Sequence, residues 1–344
     1  VDEDIEFERM ILHATGALTG FLGERVQTWA RHFWNLLRGS AVIRRRKTDL
    51  VHILDGSYGY LASKTLGIPT VVTVHDLIPL LRQEGEFGPA RSNRISRWLL
   101  GRVVAGLQRS ERLIAVSSNT EKDLRQHAHI DQGRISVAPL ALSSKFRFEG
   151  SQGDLKEGRY PDTPYLLHVG NNGYYKNREG VVRIFSQLPE AQRARLVMAG
   201  PAPTSQLTSL IEKLGLQARV EFVIDSDDDE LVGLYRRASL FLFPSLYEGF
   251  GWPPLEAMAC GCPVVCSTEG SLPGVVGDAA LTAQAQNEEA LTAHCVKVLT
   301  DVGLAQSLAE RGRERVKQFT IERMREDLLA AYGRALAVQS LRPA

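Results

Sequence analysis

Ser245-Leu246-Tyr247-Glu248-Gly249-Phe250-Gly251-Trp252-Pro253-Pro254-Leu255-Glu256-Ala257-Met258-Ala259-Cys260-Gly261-Cys262-Pro263 holds a strand exit, a glycine loop, a helix start and two acids within nineteen residues. The run before it, Leu240 to Pro244, is short, apolar and closed by proline, which predicts a buried strand. Gly249 and Gly251 let the backbone turn sharply and approach a ligand closely. Pro253 and Pro254 suit the opening of a helix, where a backbone N–H has no partner within the helix. Free amides and the positive end of the helix dipole at that point attract an anion, most naturally a phosphate. Glu248 lies before the loop and Glu256 after it, with seven residues between them.

On both sides of this stretch apolar runs alternate with helical patterns, the mark of a parallel sheet wrapped by helices. Strands are expected at Leu50–Leu54, Thr70–Val74, Arg112–Val116, Ile135–Ala138, Tyr165–Val169, Arg195–Ala199, Val220–Val223, Leu240–Phe243 and Pro263–Cys266. From Ser143 to Pro164 the composition turns to Ser, Gly, Pro and charges without apolar periodicity, as in a linker. The expectation is an α/β protein of two doubly wound units, residues 1–150 and 151–320, facing across a cleft. Ligands of such sheets sit beyond the carboxyl ends of the strands. Met10 to Thr15, Gly16 to Gly20 and Phe21 to Arg38 read as an opening strand, loop and helix, although the acidic start Asp2-Glu3-Asp4 fits this poorly. Ile321 to Val338 reads as an amphipathic helix with Met324, Leu328, Leu329, Tyr332 and Leu336 on its apolar face.

Three further segments carry chemistry. Val169-Gly170-Asn171-Asn172-Gly173-Tyr174-Tyr175-Lys176-Asn177 follows a strand, and a glycine turn ending in a lysine suits a diphosphate. His75, followed by Asp76, stands at the carboxyl edge of the strand at Thr70–Val74, where a cleft should open. Ser117-Ser118-Asn119-Thr120 follows another strand and reads as a helix N-cap. Asp225-Ser226-Asp227-Asp228-Asp229 contains an Asp-x-Asp spacing, but acids before a helix are accounted for by capping and the dipole. No Gly-x-Gly-x-x-Gly opens a helix after a strand, which speaks against a nicotinamide cofactor.

Bulk properties narrow the class. The 344 residues suit two domains, and 44% hydrophobic with 24% charged residues is a globular composition. A net charge of +1 gives no overall affinity for nucleic acid. Neither a bilayer-length apolar run nor a basic-then-apolar leader is seen, so a cytoplasmic address is expected. Cys260, Cys262 and Cys266 are crowded without a histidine or paired-knuckle spacing, which favours reduced thiols in a core over a metal site. On a helix from Asn93 to Gln108, Leu99, Leu100, Val103 and Leu107 share one side, while Arg91, Arg102, Arg109 and Trp98 fall on the other. Such a face suits an anionic membrane or a lipid-diphosphate acceptor, or Trp98 is covered by a neighbouring element.

The stretch from Glu248 to Glu256 resembles the nucleotide-sugar signature of retaining glycosyltransferases of the two-Rossmann-domain (GT-B) class, family four. The resemblance implies that Glu256 binds the ribose hydroxyls of a nucleotide and that Glu248 sits beside the transferred sugar. It also implies that Gly249, Phe250 and Gly251 offer backbone to the donor and that His75 contacts the donor sugar. Lys176 takes the place of the family's phosphate-binding lysine, beside Gly170. Where the family carries an arginine shortly after that glycine, Asn171 and Asn172 stand instead. Either Arg178 supplies the second charge, or Lys176 and amides hold the diphosphate alone.

The implied function is retaining transfer of a hexose to a glycan or lipid-linked acceptor, with neither metal nor cofactor. The nucleotide sugar is a substrate, GDP-mannose first and a UDP-hexose second. The segments around His75 to Leu80 and Gly170 to Lys176 most resemble mannosyltransferases of bacterial surface-polysaccharide assembly, which work at the inner face of the plasma membrane. The resemblance further implies that the final helix, about 321–344, crosses back to the first unit. The alternative is a non-catalytic nucleotide-sugar-binding scaffold of a polysaccharide assembly complex.

Overall fold

The computed structural model describes residues 48–65, 67–87, 93–146, 164–189 and 195–340, with scattered positions between 32 and 43. The expected opening strand and loop, Arg91, and most of the expected helix Phe21–Arg38 and of the linker lie outside the described residues.

Two parallel sheets carry the fold. In the first, β1 (Val51–Ile53), β2 (Thr70–Val74), β3 (Arg112–Ala115) and β4 (Ile135–Val137) run in that order. The second comprises β5 (Leu166–Val169), β6 (Leu196–Ala199), β7 (Val220–Val223), β8 (Leu240–Phe243), β9 (Val264–Ser267) and β10 (Ala280–Ala283), ordered β10-β9-β8-β5-β6-β7. Helices cover both faces, so the central strands read as unbroken apolar runs rather than alternating ones. All four residues of β8 have no exposed surface. Two parallel-sheet α/β units of the GT-B kind result, the second doubly wound and the first, among the described residues, with its four strands in sequence order. The nine expected strands are present to within a residue at each end. β10 was not expected.

Strand order locates the crevice of the second unit. From β5 the chain builds β6 and β7 on one side, then returns through β8 to build β9 and β10 on the other. At such a reversal the loops leaving the two adjacent strands part to opposite faces and open a ligand crevice. The loops after β5 and β8 are the two that carry Lys176 and Glu248.

The helices that frame the site are α1 (Ile78–Glu84), α2 (Arg94–Arg109) and α3 (Ser118–Gln126) in the first unit. In the second they are α4 (Arg178–Gln187), α5 (Ser205–Lys213), α6 (Asp228–Arg237), α7 (Trp252–Ala259) and α8 (Leu272–Val276), followed by α9 (Glu288–Thr300) and α10 (Val302–Val316). The last helix, α11 (Ile321–Ser340), lies on the first sheet: Ala331 and Ala335 pack against Val71, Ile114 and Ala138. His52 on β1 joins the two, with Nδ1 2.7 Å from the Tyr332 hydroxyl and Nε2 2.8 Å from Thr73 Oγ1. Burial lowers that imidazole to about 4 and holds it neutral. Of the expected apolar face of α11, Leu328 and Tyr332 pack on the cluster around Ala331 and Ala335. Small alanines make the close contact, and Leu336 is 39% exposed.

All four cysteines are buried free thiols, as expected for core packing. Burial pushes Cys260, Cys266 and Cys295 up to about 12 and holds Cys262 well above its ordinary value, so none is poised as a thiolate.

Candidate functional site

The second unit contributes a rigid glycine loop. Asn171 closes it by accepting from the Gly173 amide at 2.8 Å and donating to the Tyr175 hydroxyl at 3.3 Å. Asn172 accepts from Arg178 Nη1 and donates to the Ala202 carbonyl at 2.8 Å. Gly170 and Gly200 meet backbone to backbone: Gly200 has φ +139°, and a Cβ there would lie 2.3 Å from the Gly170 oxygen. Only glycine serves at that crossing.

Arg178 is 3% exposed, donates to the Pro201 carbonyl at 3.1 Å and lies 5.5 Å over the Phe222 ring. One nitrogen of the guanidinium is thus spent on the protein, while Nε and Nη2 are buried without a hydrogen-bond partner among the described residues. Through Nη1, Arg178 braces the loops after β5 and β6, because helix α4 begins at that residue beneath the loop. Asn171 and Asn172 likewise spend their side chains on shaping the loop.

Lys176 ends a short 3-10 turn, and the next residue, Asn177, adopts φ +52° while donating to the Pro244 carbonyl at 2.9 Å. That bond ties the loop after β5 to the end of β8. Lys176 Nζ then donates to both Glu248 oxygens, at 2.8 and 3.0 Å, and sits 5.1 Å over the Phe243 ring. Glu248 is 6% exposed. Burial raises its carboxyl above the ordinary range, and the lysine beside it offsets part of that rise. Ser271 fixes the Glu248 carbonyl through its amide at 3.1 Å and hydroxyl at 3.0 Å.

Beyond Glu248, Gly251 takes φ +106° as the N-cap of α7, with Pro253 and Pro254 in the first turn as the sequence indicated. Among the described residues no acceptor is bonded to the amides of Gly249, Phe250 or Gly251. These donors remain available to an anion at the helix start. Glu256 falls in the second turn of α7 and accepts from the Tyr235 hydroxyl at 3.0 Å. Burial, then the charge of Asp228, push its carboxyl up to about 7. The acidic run caps α6 as expected: Asp227 accepts from the Glu230 amide at 2.8 Å, and Asp228 pairs with Lys145.

The first unit meets this site end on. His75 leaves β2 with Nε2 3.0 Å from the Leu54 carbonyl, which sets the ring. Asp76 is a structural neighbour of the ring rather than its hydrogen-bond partner. Its carboxylate instead accepts from the Ile78 amide at 2.9 Å, because α1 begins there and has an unpaired amide to satisfy. Burial raises the Asp76 carboxyl, and the charge of Lys176 is among the influences that counter the rise.

Ser117 caps α3 by accepting from the Thr120 amide at 3.0 Å, and its hydroxyl donates to the Gly249 carbonyl at 2.7 Å. Thr120 Oγ1 donates to the same oxygen at 3.1 Å. Tyr247 is buried among first-unit residues, with its hydroxyl donating to Asp123 at 2.5 Å.

The structure thus brings His75, Lys176, Glu248 and Gly249 to one place. Gly170, Asn171, Asn172 and Arg178 form the wall beside it, and Glu256 lies along α7 with Tyr235. Sequence reasoning missed Asp76 as a second carboxylate, Tyr235 as the partner of Glu256, and the contacts of Asp123 and Tyr247. The Asp123–Tyr247 pairing crosses 124 residues of chain, which leaves no local signal in the sequence.

Comparison with known proteins agrees with this geometry. Residues 154–315 match the family described as glycosyl transferases group 1, and residues 6–143 match glycosyltransferase family 4. The chain is 37% identical over 234 residues to O-antigen chain mannosyltransferase B of Escherichia coli, covering 66% of this chain and 61% of that protein. It thus spans less than two thirds of that relative's length. It is 30% identical over 319 residues to a D-inositol 3-phosphate glycosyltransferase of Actinosynnema mirum, covering 87% of this chain and 76% of the relative. Among solved structures, sucrose-phosphate synthase from Thermosynechococcus elongatus superposes with a TM-score of 0.74 at 24% identity, covering 91% of this chain and 80% of that one.

Proposed function

The chain belongs to the group 1, family four glycosyltransferases, and on that premise we propose that it moves a hexose, mannose first, from a nucleoside-diphosphate sugar to a glycan or lipid-linked acceptor with retention. The observation that carries this reading is the buried Lys176–Glu248 pair at the reversal point of the second sheet, beside unpaired amides at the start of α7. A diphosphate placed on those amides lies where Lys176 can neutralise the charge that develops as it leaves.

Glu256 then accepts from ribose hydroxyls, and Glu248 stabilises positive charge on the sugar ring rather than attacking it. The bond from the anomeric carbon to the phosphate oxygen breaks as the acceptor hydroxyl bonds on the same face, and its proton passes to the departing phosphate. Lysine and amides supply the charge stabilisation, so the reaction proposed needs no metal. The name of the E. coli relative favours mannose, and GDP-mannose is the donor proposed first, with a UDP-hexose second.

A thermal-shift series over nucleotide sugars tests the reading, because a ligand that binds the folded state raises its apparent stability. GDP-mannose should give the largest rise, with transfer or slow donor hydrolysis in the same samples. The shift should shrink as pH falls through about 7, since Glu256 accepts ribose hydroxyls best as a carboxylate. No shift with any nucleotide sugar would end the proposal, while binding without turnover would leave the scaffold reading.

The acceptor side is proposed to lie at an anionic membrane surface. Arg94, Arg97, Trp98, Arg102 and Arg109 are all exposed on α2, with Trp98 54% exposed and Arg102 5.7 Å over its ring. No acidic residue occurs between Arg94 and Arg109, and no helix among the described residues is long and apolar enough to cross a membrane. A basic face with an exposed aromatic suits binding in the membrane surface. The Trp98→Ala, Arg102→Glu variant should lose cosedimentation with anionic vesicles while keeping the donor-induced shift. Unchanged vesicle binding would remove this part.

A further inference from the structure

One helix of the first unit grips the chain on both sides of Glu248, by a side chain before it and by a backbone carbonyl after it. Before it, the Tyr247 hydroxyl donates to Asp123 on α3, and the Tyr247 ring stands edge-on to Phe87 at 5.7 Å. After it, the Gly249 carbonyl accepts from Ser117 and Thr120, at the start of the same helix. Asp123 is 6% exposed and also accepts from Asn119 at 3.0 Å, so it is held within α3 before Tyr247 reaches it. Tyr175, next to Lys176, packs on the same first-unit cluster, and its carbonyl accepts from the Leu246 amide at 2.7 Å. Each member of the Lys176–Glu248 pair therefore has an aromatic neighbour in the chain that is anchored in the other unit.

We propose that Asp123 and Tyr247 are positioning residues for Glu248, so that its carboxylate is correctly aimed only while α3 of the first unit holds the loop. The inference rests on the reading that Glu248 acts at the transferred sugar. Its physical basis is short leverage. Cα atoms one residue apart are about 3.8 Å apart, so a loop fixed at 247 and 249 leaves Glu248 little freedom. Released at 247, the carboxylate can drift by about an ångström, and displacement on that scale costs on the order of a hundredfold in rate. Donor contacts made wholly within the second unit, at Glu256 and the α7 amides, would not feel the release.

The test compares the whole chain with Tyr247→Phe, Asp123→Asn, Asp123→Ala and the Tyr247→Phe, Asp123→Ala double variant. Initial rates of transfer or donor hydrolysis, donor affinity and melting temperature are measured for each. Tyr247→Phe removes one oxygen and keeps the ring packing, so folding is preserved even if Asp123→Ala proves unstable. The expected result is kcat lower by about tenfold to a hundredfold in Tyr247→Phe, with donor KM within about twofold. The double variant should be no worse than the weaker single one, as for residues acting as a unit. Asp123→Asn, which still offers an oxygen to the tyrosine, should recover most of the rate lost in Asp123→Ala.

A fall in melting temperature with kcat unchanged would make the pair merely structural and overturn the inference. So would additive losses, or an equal loss in Asp123→Asn and Asp123→Ala. A wild-type chain inert toward every nucleotide sugar would instead overturn the functional reading beneath it.

Discussion

Replacing Glu248 with glutamine is expected to lower transfer by about 10²–10³-fold while donor affinity holds or improves. The carboxylate is 6% exposed and shares a lysine at 2.8 and 3.0 Å, so it is retained against a desolvation cost that works toward protonating it. In the proposed reaction that negative charge is most useful when the sugar ring turns positive. Removing it therefore falls on the transition state more than on the bound donor, which is the pattern of a kcat loss. Lys176 is meanwhile released from its partner and can serve the diphosphate more fully, hence the unchanged or tighter donor binding.

Glutamine keeps the volume and a hydrogen-bonding oxygen, so the fold should survive. Glu248→Ala is the poorer test, because it strips Lys176 of a hydrogen-bonding oxygen as well as of its charge partner and leaves a cavity, a loss of about 3–5 kcal/mol in stability. The measurement is steady-state transfer beside donor-binding calorimetry. Transfer within threefold of wild type would show that the Glu248 charge plays no part in the chemistry.

Strands were legible because buried parallel strands announce themselves as short apolar runs between turns. Leu240 to Phe243 is wholly apolar, and Thr70 to Val74 is rich in β-branched residues. β10, Ala280 to Ala283, escaped notice because two alanines around one leucine and one threonine give neither the periodicity nor the bulk that marks a strand. It exists because β9 leaves an edge to pair with. The glycine loop and its flanking acids were legible for a different reason, since turn, proline and acid occupy fixed steps along one segment.

What the sequence could not convey is the state of charge between segments. Lys176 and Glu248 were each expected at the donor, yet nothing in their positions, 72 residues apart, says that they bond to one another. Arg178 illustrates the same limit. An arginine after a glycine loop reads as a phosphate ligand, and only the folded chain shows its Nη1 bonded to Asn172 and Pro201 and its plane over Phe222.

Gly249→Ala should separate donor binding from transfer more cleanly than any change at an acid. Gly249 is not among the residues with positive φ, so alanine is acceptable to its own backbone. The obstacle lies across the cleft: a Cβ there would sit 1.9 Å from the His75 carbonyl oxygen and 2.9 Å from Asp76 Cβ. Neither contact is with the far end of a flexible side chain. One is backbone at the end of β2, where the strand and the start of α1 fix the geometry, so the two units must move apart.

That movement draws the Gly249 carbonyl away from Ser117 and Thr120 and takes His75 and Asp76 away from the Lys176–Glu248 pair. Each unit keeps its own core, so melting of the second unit and the donor-induced shift should stay near wild type. Transfer should fall by about a hundredfold or more, the scale expected when reacting groups are misplaced by about an ångström. Small-angle scattering should register a larger radius of gyration for the variant in the presence of donor. If Gly249→Ala transferred sugar within threefold of wild type, the contact between the Gly249 loop and the end of β2 would not belong to the working arrangement, and the site would have to be built from the second unit alone.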